Sequence, residues 1–156
     1  MRLEELLEPA ADERPRPAGP RLVLMAGPSP DGHHPEADQR YDTVRLFPKF
    51  FELPNDLSRR HVLYHELGHW YRQEFIELRD IMGWEEGEKF FNCFGVGNSE
   101  EGFAECFAVY CTGPQELIDR YPWCHDFIQD HLDAQPFDAW AWVDWTMLEI
   151  ADHQSI

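Results

Sequence analysis

Positive charge is scarce in this chain: 13 Lys and Arg stand against 30 Asp and Glu in 156 residues, a formal net charge of −17. A surface this acidic repels the phosphates of nucleic acids and of anionic membranes, so no nucleic acid and no membrane is expected as a direct partner. It suits solubility, or a basic peptide or protein partner. Cysteine is sparse as well. The four thiols, Cys93, Cys106, Cys111 and Cys124, contain no C-x-x-C pair and no dense framework, although three pairings into two disulfides are open to them. Reduced thiols in a cytoplasmic protein are the expectation, with Cys106 and Cys111 packed in the core. No apolar run approaches transmembrane length and no internal repeat recurs. Met1-Arg2-Leu3-Glu4-Glu5 opens on acids, without the apolar stretch of a secretory signal.

What is present is apolar and aromatic. Hydrophobic residues make up 43% and aromatics 14%, including 6 Trp and 11 Phe, enough for one filled core and too much for a disordered chain. Residues 1–20 differ. After a short helical possibility at Leu3 to Glu8 come Pro9, Pro15, Pro17 and Pro20, which predict a flexible, extended arm. Residues 21–156 are expected to form a single domain.

Arg21 to Ala26 is a short apolar run closed by Gly27-Pro28 and predicts a buried strand. Ser29 to Gln39 contains Pro30, Gly32 and Pro35 and reads as a loop, with His33-His34 a surface pair. Tyr41 to Phe47 alternates, placing Asp42, Val44 and Leu46 on one side of a second strand that Pro48 closes. Asn55 or Asp56 can cap a helix running to about Tyr71 or Glu74. Arg79 to Gly97 is punctuated by four glycines and reads as a loop with one turn of helix, walling a cleft. Further helices are predicted from Asn98 or Ser99 to Thr112, from Gln115 to Arg120, from Trp123 to Leu132 and from Phe137 to Ile150. The last carries Phe137, Ala141, Trp145 and Leu148 on one side and Trp140, Val143, Met147 and Ile150 on another, an apolar surface wide enough to demand burial. The class is α+β, a small sheet followed by a mostly helical half.

Within the helix that starts near Asn55 lies His65-Glu66-Leu67-Gly68-His69. Residues four apart share a helix face, so both imidazoles can point at one metal ion while Glu66 reaches the water beside it. This is the H-E-x-x-H pattern of a zinc hydrolase: Zn2+ acidifies water and the Glu takes its proton. Gly68 would let a neighbouring element approach closely. Catalytic zinc takes three protein ligands, and Glu101 is the best third. Glu105, one turn on, would accept the free N–H of a ligating His and fix its tautomer. The competing role for Glu101 is a capping box answering Asn98, and for Glu105 a solvated carboxylate; the apolar Phe103, Ala104, Phe107, Ala108 and Val109 around them favour burial. His61 is assigned a place beside the site or at the surface. Asp80, Glu100, His125 and His131 have no supporting pattern. A metzincin is excluded at the ligand level, because Arg72 and Phe75 stand where its Gly and third His belong.

His65-Glu-Leu-Gly-His69 followed by Glu101-Gly-Phe-Ala-Glu105-Cys-Phe-Ala108 resembles the small glutamate zincins (gluzincins), similar to anthrax lethal factor-type catalytic domains and ImmA/IrrE-type metallopeptidases. The second motif looks like E-x-x-A-E-x-F in the former and E-x-x-A-N-x-F-A in the latter. The resemblance implies a zincin-like fold with a metzincin-type core, His65, His69 and Glu101 as zinc ligands, Glu66 as general base, Glu105 behind a ligand, and an edge strand that pairs with an extended substrate. It implies a zinc-dependent endopeptidase acting on a peptide or protein. The motifs cover about 14 residues, and their order extends the likeness over residues 21–112. One feature departs from it. A Tyr precedes the third ligand in lethal-factor-like domains, whereas Phe94 and Gly95 stand here, and Tyr110 would lie opposite Glu101 on its helix. Tyr64, Tyr71, His125 and His131 are the candidates for stabilising an oxyanion. Two other classes remain open: an inactive zincin-fold module that binds a protein, and an acidic nucleic-acid mimic.

Overall fold

A computed structural model describes residues 15–82 and 90–154 of the chain. The helical possibility at Leu3 to Glu8, most of the proline-rich arm and the middle of the Arg79–Gly97 segment lie outside the described residues. The architecture is mixed α+β, a small sheet followed by helices.

Three strands form the sheet in the order β1-β3-β2: β1 (Arg21–Leu24), β2 (Ala37–Arg40) and β3 (Thr43–Leu46). β1 runs parallel to β3 with Leu22 opposite Val44, and β2 runs antiparallel to it with Gln39 opposite Val44. Central β3 shows the period-two alternation expected of a half-buried strand: Val44 and Leu46 are fully buried, and Arg45 on the other face forks onto Asp38 of β2 at 2.7 and 2.5 Å. β2 corrects the loop expected over Ser29 to Gln39. A two-residue turn, Tyr41-Asp42, folds β2 back onto β3, with Tyr41 in the left-handed region at φ 53°. The turn lacks the Asn-Gly signal of a tight hairpin, so nothing in composition announced it.

α1 (Asp56–Phe75) begins where Asn55 accepts a hydrogen bond from the Ser58 amide at 2.8 Å. Its buried stripe is Leu63, Leu67, Trp70 and Tyr71, the three-and-four spacing of one helix face. A short helix α2 (Leu78–Met82) and a single tight turn at Cys93–Gly95 lead to α3 (Ser99–Thr112), capped by Asn98, whose Oδ1 accepts from the Glu101 amide at 3.0 Å. α3 lies against α1 along its length, contributing Phe103, Ala104, Phe107 and Ala108 to the core. Gly113-Pro114 ends α3 and starts α4 (Pro114–Arg120), which is followed by α5 (Pro122–Ala134).

α6 (Ala139–Gln154) packs on α1, but the face it buries differs from both sides expected. Ala139, Trp142, Val143, Thr146 and Ile150 are buried, while Trp140 and Leu148 are 43% exposed. Trp142 decides the orientation: its indole N–H donates to the Pro20 carbonyl at 2.9 Å, tying residues just before β1 to the helix. Gly19 makes that possible, since a Cβ there would stand 2.5 Å from Trp142 Cδ1. No helix among the described residues is long and apolar enough to cross a membrane.

Candidate metal centre

Gly68 sets the geometry of the site. A Cβ at this position would meet Ala104 Cα at 2.9 Å and Phe107 Cβ at 2.9 Å, so only glycine lets α1 and α3 approach this closely. The mid-helix glycine costs roughly 1 kcal/mol of helix propensity relative to Ala, and the close contact is what it provides. Gly102 serves in the same way one layer away, its Cα seated against the Phe90 backbone carbonyl.

Across this contact the two helices present a ladder of alternating imidazoles and carboxylates. His61 Nε2 donates to Glu105 Oε2 at 2.7 Å, and His65 Nδ1 donates to Glu105 Oε1 at 2.9 Å. His65 Nε2 in turn donates to Glu101 Oε1 at 3.0 Å, and His69 Nε2 lies 2.8 Å from Glu101 Oε2. Climbing α1 from His61 to His69 descends α3 from Glu105 to Glu101, so the helices run antiparallel through the site. One turn of each helix, four residues, advances the ladder by one rung. The capping role considered for Glu101 is absent from its side chain: Asn98 caps the Glu101 amide, but the carboxylate reaches across to His65 and His69.

A ring nitrogen of His65, a ring nitrogen of His69 and a carboxylate oxygen of Glu101 lie within 4.8 Å of one another. Two imidazole nitrogens and one carboxylate oxygen are a zinc donor set, and metal–ligand bonds of about 2.1 Å would put such atoms roughly 3.4 Å apart. The residues present therefore fit a metal ion by donor type and convergence, with the Glu101 oxygens 3.0 and 2.8 Å from His65 Nε2 and His69 Nε2. Glu105 behind His65 holds Nδ1 as the donor, which leaves Nε2 facing the shared centre. His61 sits one rung out, against the far oxygen of Glu105, beside the site and not in the cluster.

Glu66 is 5% exposed and opens on the same side. It lines a cavity of about 240 Å³ together with His69 and Glu101. Burial, opposed by the charge of His65 and reinforced by the Glu101 carboxylate, pushes its acid up to about 8. Burial works against a charged His65, but its hydrogen bonds to Glu101 and Glu105 prevail and raise it to about 10. Burial likewise opposes the carboxylates, and their imidazole partners prevail: Glu105 falls to about 2, and Glu101 lies well below the usual carboxylate range.

The other wall of the cavity comes from the hairpin and the loop before it: His34, Asp38, Gln39 and Arg40. The sequence does not announce them: Asp38 and Gln39 fall in the loop expected over Ser29 to Gln39, Arg40 lies between that loop and the expected strand, and His34 reads as surface. None of the oxyanion candidates lines this cavity. Tyr71 donates its hydroxyl to the His131 and Gln135 carbonyls at 2.9 and 2.8 Å, inside the core. Tyr64 is buried, His131 Nδ1 donates to the Phe127 carbonyl, and His125 lies beside Asp126. Glu100 turns toward Arg72 at 3.7 Å. Among the described residues, neither it nor Asp80 joins the cluster.

The chain thus carries a His/His/Glu cluster able to coordinate a metal ion, in an H-E-x-x-H arrangement consistent with a zinc metallopeptidase site of the glutamate-zincin type. No protein-family model, curated protein or solved structure gives a significant match to the chain.

Proposed function

We propose that this protein is a zinc-dependent endopeptidase of the glutamate-zincin type, with His65, His69 and Glu101 as ligands and Glu66 as general base. The observation that carries the proposal is the Glu101 carboxylate held between the Nε2 atoms of His65 and His69, with Glu66 buried beside them over a cavity. Zinc held there supplies Lewis acidity toward water and toward a peptide carbonyl. Glu66, buried beside the ligands, takes a proton from the attacking water and delivers it to the departing amine. Glu105 fixes the His65 tautomer, and His61 fixes Glu105.

Edge strand β2 places Asp38, Gln39 and Arg40 along the cavity, where an extended peptide can align with it. Arg40 and His34 are the cationic or N–H donors on that wall, and they take the oxyanion role vacated by Tyr64, Tyr71, His125 and His131. The substrate is a peptide or protein. The free thiols of Cys93, Cys106, Cys111 and Cys124 suit a reducing, cytoplasmic setting, and residues 21–156 act as one domain behind the proline-rich arm.

The test is Glu66→Gln beside the parent, assayed on a library of unstructured peptides with zinc content measured in parallel. The variant should keep zinc and lose hydrolysis by roughly 10²-fold or more, since a positioned acid–base group contributes about 10²–10⁴. Cleavage at the parent rate would refute the mechanism. A parent that binds zinc and cleaves nothing would leave a zincin-fold binding module.

A further inference from the structure

A second cluster of ligand-type side chains lies away from the histidines. Cys93 from the turn before α3, Cys106 from the middle of α3 and Cys124 from the start of α5 bring their sulfurs together, all within 4.8 Å of one another. The Cys93 and Cys124 sulfurs are 3.4 Å apart. All three are buried, at 0%, 0% and 1% exposure. Cys111, on the same helix as Cys106, stands outside the cluster. We propose that Cys93, Cys106 and Cys124 form a second metal site that takes a thiophilic d10 ion of the Zn(II) or Cu(I) class.

The spacing supports one shared ion. With metal–sulfur bonds of about 2.3 Å, three thiolates around one centre sit roughly 3.8–4.0 Å apart, between the 3.4 Å of the Cys93–Cys124 pair and the 4.8 Å within which all three sulfurs lie. A disulfide would instead join two of them and leave the third aside, whereas here three sulfurs converge. The donors are all soft, and among the described residues no imidazole or carboxylate joins them. Metal ligation takes the thiolate form, so an ion entering the cluster displaces the thiol protons.

The three ligands come from three separate segments, so an ion there staples the Cys93–Gly95 turn and α5 to α3 five residues beyond Glu101. It acts as a structural fastener for the helix that carries the third ligand of the histidine centre. The inference does not depend on the peptidase reading, because its ligands and its readout are sulfur.

The experiment uses the full chain, reduced and stripped with chelator, titrated with Cd(II) as an optical probe. A thiolate-to-metal charge-transfer band should grow to the amplitude of one three-sulfur site per chain, whether or not the histidine centre, which adds no sulfur band, takes a second ion. It should vanish in Cys106→Ser and persist in Cys111→Ser. Displacement of the band by Zn(II) in one arm and Cu(I) in the other shows which ion the site prefers. No band in the parent, or a band that survives Cys106→Ser, overturns the proposal. If Cys106→Ser does not fold, X-ray absorption of the unmodified chain carrying one Cu(I) decides. Three sulfur neighbours are expected, and two or fewer overturn it.

Discussion

Glu66 makes the metal-free protein less stable as pH rises, and the size of the effect follows from its burial. Its carboxyl titrates near 4.5 when free and near 8 in the fold. A carboxyl with a raised folded value binds its proton more tightly when folded, so stability is highest below the free value and falls as pH climbs toward the folded one. Glu101 and Glu105 work the other way: their contribution is present above their free value and is lost only as pH falls through it. His65, raised to about 10, contributes fully below its free value of 6.5 and loses that contribution only above it. Between about pH 5 and 6.5 Glu66 therefore dominates, and the difference in proton binding integrates to about 2 kcal/mol across that window. For a chain of this length that is a fall of roughly 4–8 °C in Tm. Thermal unfolding of the chelator-treated protein followed by circular dichroism should show this fall, and Glu66→Gln should flatten it. Parallel profiles for parent and variant would refute the buried, protonated Glu66 on which the argument rests.

Two substitutions test the frame of the site. On a Cys106→Ser background, Glu101→Ala should lower zinc content from one ion per chain, at the histidine centre, to trace levels by elemental analysis; retained zinc would place the third ligand elsewhere. Gly68→Ala gains about 1 kcal/mol of helix propensity but drives a methyl into Ala104 Cα, so a net loss of about 1–2 kcal/mol is expected in denaturant unfolding, with zinc held more weakly in a chelator competition. Unchanged zinc affinity would show that the α1–α3 contact does not set the ligand spacing.

The helical half of the molecule was legible because its signals are local. Asn55 and Asn98 announce two helix starts, Gly113-Pro114 an end, and the His65–His69 and Glu101–Glu105 spacings place four side chains on two helix faces. The single glycine inside H-E-x-x-H was legible too, since a glycine inside a helix calls for a close neighbour. What escaped is what depends on distant pairing. β2 exists because β3 offers it hydrogen bonds across a two-residue turn with a left-handed tyrosine, and Ala37-Asp38-Gln39-Arg40 has no strand character of its own. With β2 went the second wall of the cavity. The face that α6 buries escaped for the same reason: Trp142 is drawn inward by the Pro20 carbonyl, 122 residues away. The thiol cluster needs three segments to meet, and no spacing along the chain shows that.

The ladder also dictates how metal binding must respond to pH. In the metal-free chain Glu101 and Glu105 hold a proton on His65 up to about pH 10, so His65 fills the centre with positive charge of its own. Ligation requires the neutral imidazole, and that proton must leave. Glu66 holds a second one until about pH 8, and a divalent charge beside it expels that as well. Near pH 7 these two groups together release about two protons per zinc bound, and near pH 9 about one. The apparent affinity accordingly climbs about a hundredfold per pH unit at first and about tenfold per unit above pH 8. Calorimetry of the Cys106→Ser chain in buffers of different ionisation heat counts those protons directly. A count near zero at pH 7 would mean that His65 is neutral before the metal arrives, and the alternating ladder of three histidines and two glutamates would then not be the resting state of the site.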